Sequence, residues 1–147
     1  MFSIWKGIFI AMNSFHLCIL EADSPFYDGD CVSLIIPTDD GSYGVQAHHH
    51  NMIAAIIPGI VSFRKSEGAP MEYASVSQGI MKVEENDVLI LVDTAEHPDE
   101  IDENRAKIEA EEAKEILLQK RSTREYKEAE ARLARALTRI KTKGKME

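Results

Sequence analysis

Between residues 14 and 93 apolar and polar positions alternate in short runs separated by turn formers. Phe15-His16-Leu17-Cys18-Ile19-Leu20 is closed by Asp23-Ser24-Pro25, and Cys31-Val32-Ser33-Leu34-Ile35-Ile36 by Pro37-Thr38-Asp39-Asp40-Gly41. Tyr43-Gly44-Val45 is short, and Gly59-Ile60-Val61-Ser62-Phe63-Arg64 breaks at Glu67-Gly68. Glu72-Tyr73-Ala74-Ser75-Val76 and Gly79-Ile80-Met81-Lys82-Val83 are split by Ser77-Gln78, and Asn86-Asp87 turns into Val88-Leu89-Ile90-Leu91-Val92. A period of two puts successive side chains on opposite faces of a strand. Many short strands spaced about 8–12 residues apart predict an antiparallel sandwich or barrel. The strand–helix alternation of a parallel sheet is missing.

From Asp99 the period changes to about 3.6. Pro98 and Asp99 predict a helix start, with Glu100, Asp102 and Glu103 favouring the positive end of its dipole. Ala106, Ala110, Ala113 and Leu117 recur at i, i+4, i+7 and i+11 along one face. Lys120-Arg121-Ser122-Thr123 interrupts the pattern and offers Ser122 or Thr123 as a fresh cap. Tyr126, Ala129, Leu133, Ala136 and Ile140 then form a second stripe. Two small-residue stripes joined by a short turn predict a close antiparallel helix pair. Alanine buries little area, at about 25 cal/mol per Å², while ordering costs about 1–2 kcal/mol per residue. The pair should be marginal alone and ready to re-dock.

Composition sharpens this division. The 147 residues carry 17 Lys plus Arg and 25 Asp plus Glu, a net charge of −8, which argues against binding nucleic acid. Residues 1–100 hold 4 basic and 15 acidic groups; residues 101–147 hold 13 basic and 10 acidic groups. All five prolines and seven of the eight glycines lie before residue 100, which puts a module boundary near His97-Pro98-Asp99. Two cysteines, Cys18 and Cys31, exclude a disulfide-built scaffold and fit a reducing compartment. No run reaches the roughly 20 apolar residues of a membrane span; Met52 to Val61 is broken by Pro58-Gly59. The leader, with Trp5, Lys6 and Ile8-Phe9-Ile10, lacks a signal-peptide cleavage site. Met12 reads as the natural start and the 11 residues before it as an upstream extension, with residues 1–12 expected to be poorly ordered.

Candidate chemistry is sparse. His48-His49-His50 is the one cluster of metal-ligand type, and a free-standing metal-binding β-module is the alternative it offers. Consecutive strand residues cannot all face one metal, so a polar loop is the simpler reading. Asp28-Gly29-Asp30 and Thr38-Asp39-Asp40-Gly41 lack the ligand alternation of a calcium loop and read as turns. A Gly-x-Ser-x-Gly elbow and a phosphate-cradling Gly-rich loop are both lacking. Arg135 and Arg139 share a helix face, and folding the pair back brings Arg105 toward them beside Asp102, three guanidiniums suited to phosphate oxygens, although by spacing alone a solvated charged face is the simpler reading.

Ile101-Asp102-Glu103-Asn104-Arg105-Ala106 opens a helical hairpin behind a β-module. With Phe15-His16-Leu17, Pro37-Thr38-Asp39-Asp40-Gly41, Ala54-Ala55-Ile56-Ile57-Pro58-Gly59-Ile60, Ser77-Gln78-Gly79-Ile80 and Val92-Asp93-Thr94-Ala95-Glu96 in order, the chain resembles the epsilon subunit of bacterial F-type ATP synthases over roughly residues 13–143. The resemblance implies a ten-stranded antiparallel β-sandwich over 13–97 followed by a two-helix hairpin over 98–147. It further implies a non-catalytic central-stalk subunit, peripheral at the cytoplasmic face of the bacterial membrane through its complex. In that family the sandwich binds the gamma subunit and rests on the c-ring, while the hairpin can extend into the alpha/beta catalytic head and suppress ATP hydrolysis.

No cofactor is required, but in some bacterial members the folded hairpin binds ATP as a regulatory ligand. The family motif Ile/Leu-Asp-x-x-Arg-Ala is matched by Ile101, Asp102, Arg105 and Ala106, the upstream acidic position by Glu96, and the helix-two arginines by Arg135 and Arg139. The c-ring-facing loop of the family corresponds to Gly41, Ser42, Tyr43 and Gly44, with His49 nearby. Here the sequence departs: most members have Pro-Gly-His-Ala-Pro where this chain has Ala47-His48-His49-His50-Asn51. When the hairpin extends, Arg132, Arg135, Arg139, Lys141 and Lys143 are available for acidic surfaces of the head.

Overall fold

The computed structural model describes residues 13–22, 24–119 and 123–145. The leader through residue 12 and the Ser122 cap position lie outside these residues. Ten strands form two five-stranded sheets. The first sheet runs, in spatial order, β2 (Ser24–Cys31), β1 (Phe15–Glu21), β9 (Asp87–Val92), β8 (Gly79–Glu84) and β5 (Met52–Ile56). The second runs β10 (Ala95–Glu96), β7 (Met71–Val76), β6 (Gly59–Arg64), β3 (Ser33–Thr38) and β4 (Gly41–Val45). Alternate residues of both sheets, Leu17, Ile19, Leu34, Ile36, Val61, Phe63, Met81 and Ile90 among them, meet in one core. That core is built from residues between Phe15 and Ala95, so the sandwich closes its apolar interior without the helices.

The expectation of a purely antiparallel sheet needs one correction: β1 and β9 pair in parallel, His16 opposite Asp87 through Glu21 opposite Val92. Alternation reports which face a residue occupies and carries no information on strand direction. A second correction concerns Asp28-Gly29-Asp30, which reads as a turn but lies inside β2, opposite Cys18, Leu17 and His16. β2 is an edge strand, so polar residues and Pro25 are tolerated there, at an irregularity in the register near Leu20. Cys31 closes this strand and does not open the next. Met52–Ile56, part of an apolar run in the sequence, is also a strand.

Tight turns hold the register. Glu85 and Asn86 both adopt positive φ (49° and 64°), the two-residue turn that matches strand twist. The Asn86 side chain accepts from the His48 N–H at 2.7 Å and donates to the Ser14 carbonyl at 3.0 Å, joining three segments. Both cysteines are free; burial is the main cause raising each thiol pKa, so they stay protonated and inert.

Two helices follow, α1 (Glu103–Leu118) and α2 (Thr123–Gly144). The first starts later than Pro98 and Asp99 predict. Pro98–Glu100 is a 3-10 turn closed by the His97 N–H donating to the Glu100 carboxylate at 3.1 Å. Ile101 is extended and buried, and Asp102 caps α1 by accepting from the Arg105 N–H at 3.1 Å. Burying Ile101 keeps the chain extended for one more residue, which leaves Asp102 as the cap. The alanine stripe meets its expectation, with Ala106, Ala110, Ala113, Ala129 and Ala136 buried between the helices or beneath them. Tyr126 does not, being exposed near the turn.

Gly79 cannot take a side chain without a shift of the backbone: an added Cβ would lie 2.0 Å from the Leu91 carbonyl oxygen. Gly44, on the edge strand β4, would meet nothing nearer than 4.0 Å. Gly79→Ala is expected to lower unfolding free energy by about 2–3 kcal/mol, and Gly44→Ala to change it by under about 0.5 kcal/mol. Urea unfolding of the two variants beside the parent checks the contrast.

Candidate ligand site at the hairpin seam

α2 lies across the outer face of β7 and β6. Ala74 and Val76 of β7 point into the sandwich core, so Ser75 points outward, yet it is buried because the helix covers it. The helix meets it with small or hydroxylic side chains. Ala136 and Thr142 are fully buried, and Thr138 and Thr142 return their hydroxyls to the carbonyls of Ala134 and Thr138. Such a surface is well packed but offers little apolar area.

Charge supplies the directional contact. The Arg139 guanidinium, on α2, donates through Nε and Nη2 to Glu96 of β10, with N–O distances of 3.0 and 2.6 Å. Its Nη1 donates to Glu109 of α1 at 3.2 Å. One side chain therefore joins the sandwich and both helices. Glu109 accepts a further bond on its other oxygen from Arg105 Nε at 3.3 Å. The side chains of Arg139 and Glu96 are 31% and 24% exposed, so the pair is less screened than a surface bridge. Hydrogen bonding to Glu96 is the main cause raising the Arg139 pKa, against opposing burial, so this group stays charged at every physiological pH.

A cavity of about 160 Å³ opens beside this cluster, lined by Ser75, Ser77, Thr94, Glu96, Glu109, Arg135 and Arg139. Ser77 Oγ accepts the Thr94 N–H at 2.8 Å, which fixes the wall next to β10. Arg135 lies one turn before Arg139, is exposed, and makes no ion pair among the described residues. The space is smaller than the roughly 300 Å³ at which ligand pockets begin.

Of the residues the sequence singles out, the fold brings Glu96, Arg135 and Arg139 to one place. Arg105 reaches the cluster through Glu109, with its side chain 75% exposed. Ile101 and Ala106 are buried packing residues. The expected grouping of guanidiniums around Asp102 is corrected: Arg139 is held by Glu96 and Glu109, and Arg105 by Glu109, since Asp102 is engaged as the helix cap. Sequence reasoning missed Glu109, although its spacing of four from Arg105 on one helix face is a readable signal.

The second set of residues lies at the opposite edge of the same sheet, since β4 and β10 are its two outer strands. Gly41 takes φ +107° after the turn, and Thr38 Oγ1 donates to its carbonyl at 2.6 Å. His49 Nδ1 bonds the His50 carbonyl at 2.8 Å, which sets the tautomer so that Nε2 accepts the Tyr43 hydroxyl at 2.8 Å. Both nitrogens of His49 are thus engaged, and a metal would have to displace one of these bonds. Among the described residues there is no group of three or more His, Cys, Asp or Glu side chains placed to hold a metal.

A β-sandwich followed by a two-helix hairpin defines the architecture of the ATP synthase delta/epsilon chain. The family's beta-sandwich domain matches residues 14–98 and its long alpha-helix domain residues 99–144. The chain belongs to this family, whose members are non-catalytic subunits. It is 38% identical over 129 residues to the ATP synthase epsilon chain of Ruminiclostridium cellulolyticum, covering 88% of this chain and 95% of that one. The epsilon chain of Caldanaerobacter subterraneus is 39% identical over 133 residues, covering 90% and 96%. Among solved structures, a chain of the Euglena gracilis mitochondrial ATP synthase superposes with a TM-score of 0.75 at 23% identity, covering 83% of this chain and 76% of that one. That likeness concerns the fold.

Replacing Arg139 by Met keeps most of the side-chain volume and removes every bond to Glu96 and Glu109. We expect docking of the hairpin on the sandwich to weaken by about 1.5–3 kcal/mol, the range for hydrogen bonds to charged groups. Hydrogen exchange of α2 amides, measured against β9 amides as an internal standard, reads this directly: α2 loses protection and β9 does not.

Proposed function

We propose that the chain works as a central-stalk rotor subunit of an F-type ATP synthase, with its hairpin as a nucleotide-sensitive brake on ATP hydrolysis. The sandwich docks on the gamma subunit and the c-ring. An apolar stripe on the outer face of the first sheet supports a protein partner there: Ile53, Ile80 and Leu91 lie on neighbouring strands, with Ile53 at 70% exposure. The Gly41, Ser42, Tyr43, Gly44 and His49 region, on the far edge of the other sheet, is the contact proposed for the c-ring. No described helix is long and apolar enough to cross a membrane, and membrane association is proposed through the complex, at its cytoplasmic face.

The observation that carries the nucleotide reading is the convergence of Arg135 and Arg139 at a seam shared by β10, α1 and α2. Phosphate oxygens suit a guanidinium fork and bring more charge than the carboxylate now in it. A ligand held by all three elements binds the compact form only, and so shifts the population by its whole differential affinity. Extended, the same cations are free to meet acidic surfaces of the alpha/beta head. In this scheme Ile101 and Ala106 shape the site by packing, Asp102 by capping α1, and Glu96 by orienting Arg139.

The test is the ATP hydrolysis rate of a reconstituted alpha/beta/gamma head with the full chain or with a chain ending at Asp99, whose sandwich retains its complete core. Inhibition by the full chain alone, relieved by millimolar ATP, is the expected result. Equal rates with both would make the hairpin structural. In calorimetry the full chain binds ATP, and the double variant Arg135→Ala with Arg139→Ala loses tenfold or more in affinity, about 1.5–3 kcal/mol for charged hydrogen bonds.

A further inference from the structure

We propose that Glu109 is a built-in competitor for polyphosphate: its carboxylate occupies the place of a phosphate between two guanidiniums and thereby sets how tightly the seam binds its ligand. The inference rests on the reading of this seam as a nucleotide site. Geometry carries it. One oxygen of Glu109 accepts from Arg139 Nη1 at 3.2 Å and the other from Arg105 Nε at 3.3 Å, and the residue borders the cavity that Arg135 also lines. A carboxylate bridging two guanidiniums at the mouth of a cavity has the position, charge sign and acceptor geometry of a phosphate group.

The two carboxylates of the cluster have different jobs. Glu96 belongs to the sandwich and fills the Arg139 fork with short bonds, so its removal cuts the hairpin from the sheet. Glu109 belongs to α1, within the hairpin itself, and accepts from Arg139 Nη1, a nitrogen that Glu96 does not use. Its removal leaves every bond from Arg139 to Glu96 in place. Arg105, Arg135 and Arg139 against Glu96 and Glu109 leave one net positive charge; Glu109→Gln leaves two, keeps the side-chain volume and retains one acceptor. A matched control exists on the same helix: Glu112 bonds Arg132 across the hairpin at 3.4 Å, away from the cavity.

The experiment is calorimetric titration of the full chain, Glu109→Gln and Glu112→Gln with inorganic tripolyphosphate and with ATP, at low and high salt. Glu109→Gln is expected to bind tripolyphosphate about fivefold more tightly, the effect of one unit charge a few ångströms away in a largely aqueous setting. Glu112→Gln should match the parent, and the gain should shrink as salt rises. Equal or weaker binding by Glu109→Gln overturns the proposal, as does an equal gain in Glu112→Gln. Loss of α2 amide protection in Glu109→Gln would make Glu109 a tether and overturn it as well. A parent chain that binds tripolyphosphate but not ATP sinks the nucleotide reading, and Glu109 is then judged on tripolyphosphate alone. If the parent and both variants bind neither, both ideas fall.

Discussion

The sandwich, the first helix and the second helix meet at the Arg139 guanidinium, and the compact arrangement depends on that junction because the surfaces around it bury so little. Across the seam, Ser75 faces a helix that presents Ala136, Thr138 and Thr142. Apolar area at about 25 cal/mol per Å² cannot by itself anchor such a contact. Inside the sandwich the balance is reversed. Leu17, Ile19, Phe63, Met81 and Ile90 are fully or almost fully buried, and the core holds without the helices. A stable body thus carries an appendage held by charged and polar bonds, the combination expected of an element that opens below the global unfolding energy.

Charge distribution acts in the same sense over a longer range. The first hundred residues carry 15 acidic groups against 4 basic ones, and the remainder carries 13 basic against 10 acidic. The hairpin is therefore drawn to the sandwich before any specific bond forms, an attraction that falls off within about 10 Å at 0.1 M salt. The specific bonds at Glu96 convert that general attraction into one docking geometry.

Much of this was legible in the residues, for reasons that differ by element. The core strands alternate cleanly because both faces of the sandwich impose the pleat on them, and the alanine stripes mark the helix faces because only small side chains let two helices pack closely. β2 escaped notice because an edge strand with Pro25, Asp28 and Gly29 answers to backbone pairing with β1 and needs no apolar alternation. The parallel pairing of β1 with β9 joins residues about seventy apart, and no local pattern encodes it. At the seam, the arginines stood out by their i, i+4 spacing, as Glu96 did through resemblance. Glu109 is one of several acids along its helix. Its role comes from Arg139 arriving from the other helix, a tertiary fact that helix periodicity cannot hold.

The placement of the two candidate surfaces has a consequence for how a switch of this kind is set. Gly41 to His49 and Glu96 lie at opposite edges of one sheet, separated by β3, β6 and β7, so the rotor contact and the hairpin contact need not compete for space. In the proposed mechanism only the hairpin moves. A ligand that requires β10, α1 and α2 together has almost no affinity for the open form, so nearly all its binding free energy acts on the equilibrium. At a thousandfold excess over Kd that amounts to about 4 kcal/mol, enough to carry a two-state population from 1:99 to about 10:1, against the roughly 5.5 kcal/mol that 99:1 requires. A brake built on this seam is therefore tuned most economically by the charge beside Arg139. On this proposal one carboxylate, Glu109, would move the ligand's affinity while leaving the sandwich core and the Glu96 bonds to Arg139 in place.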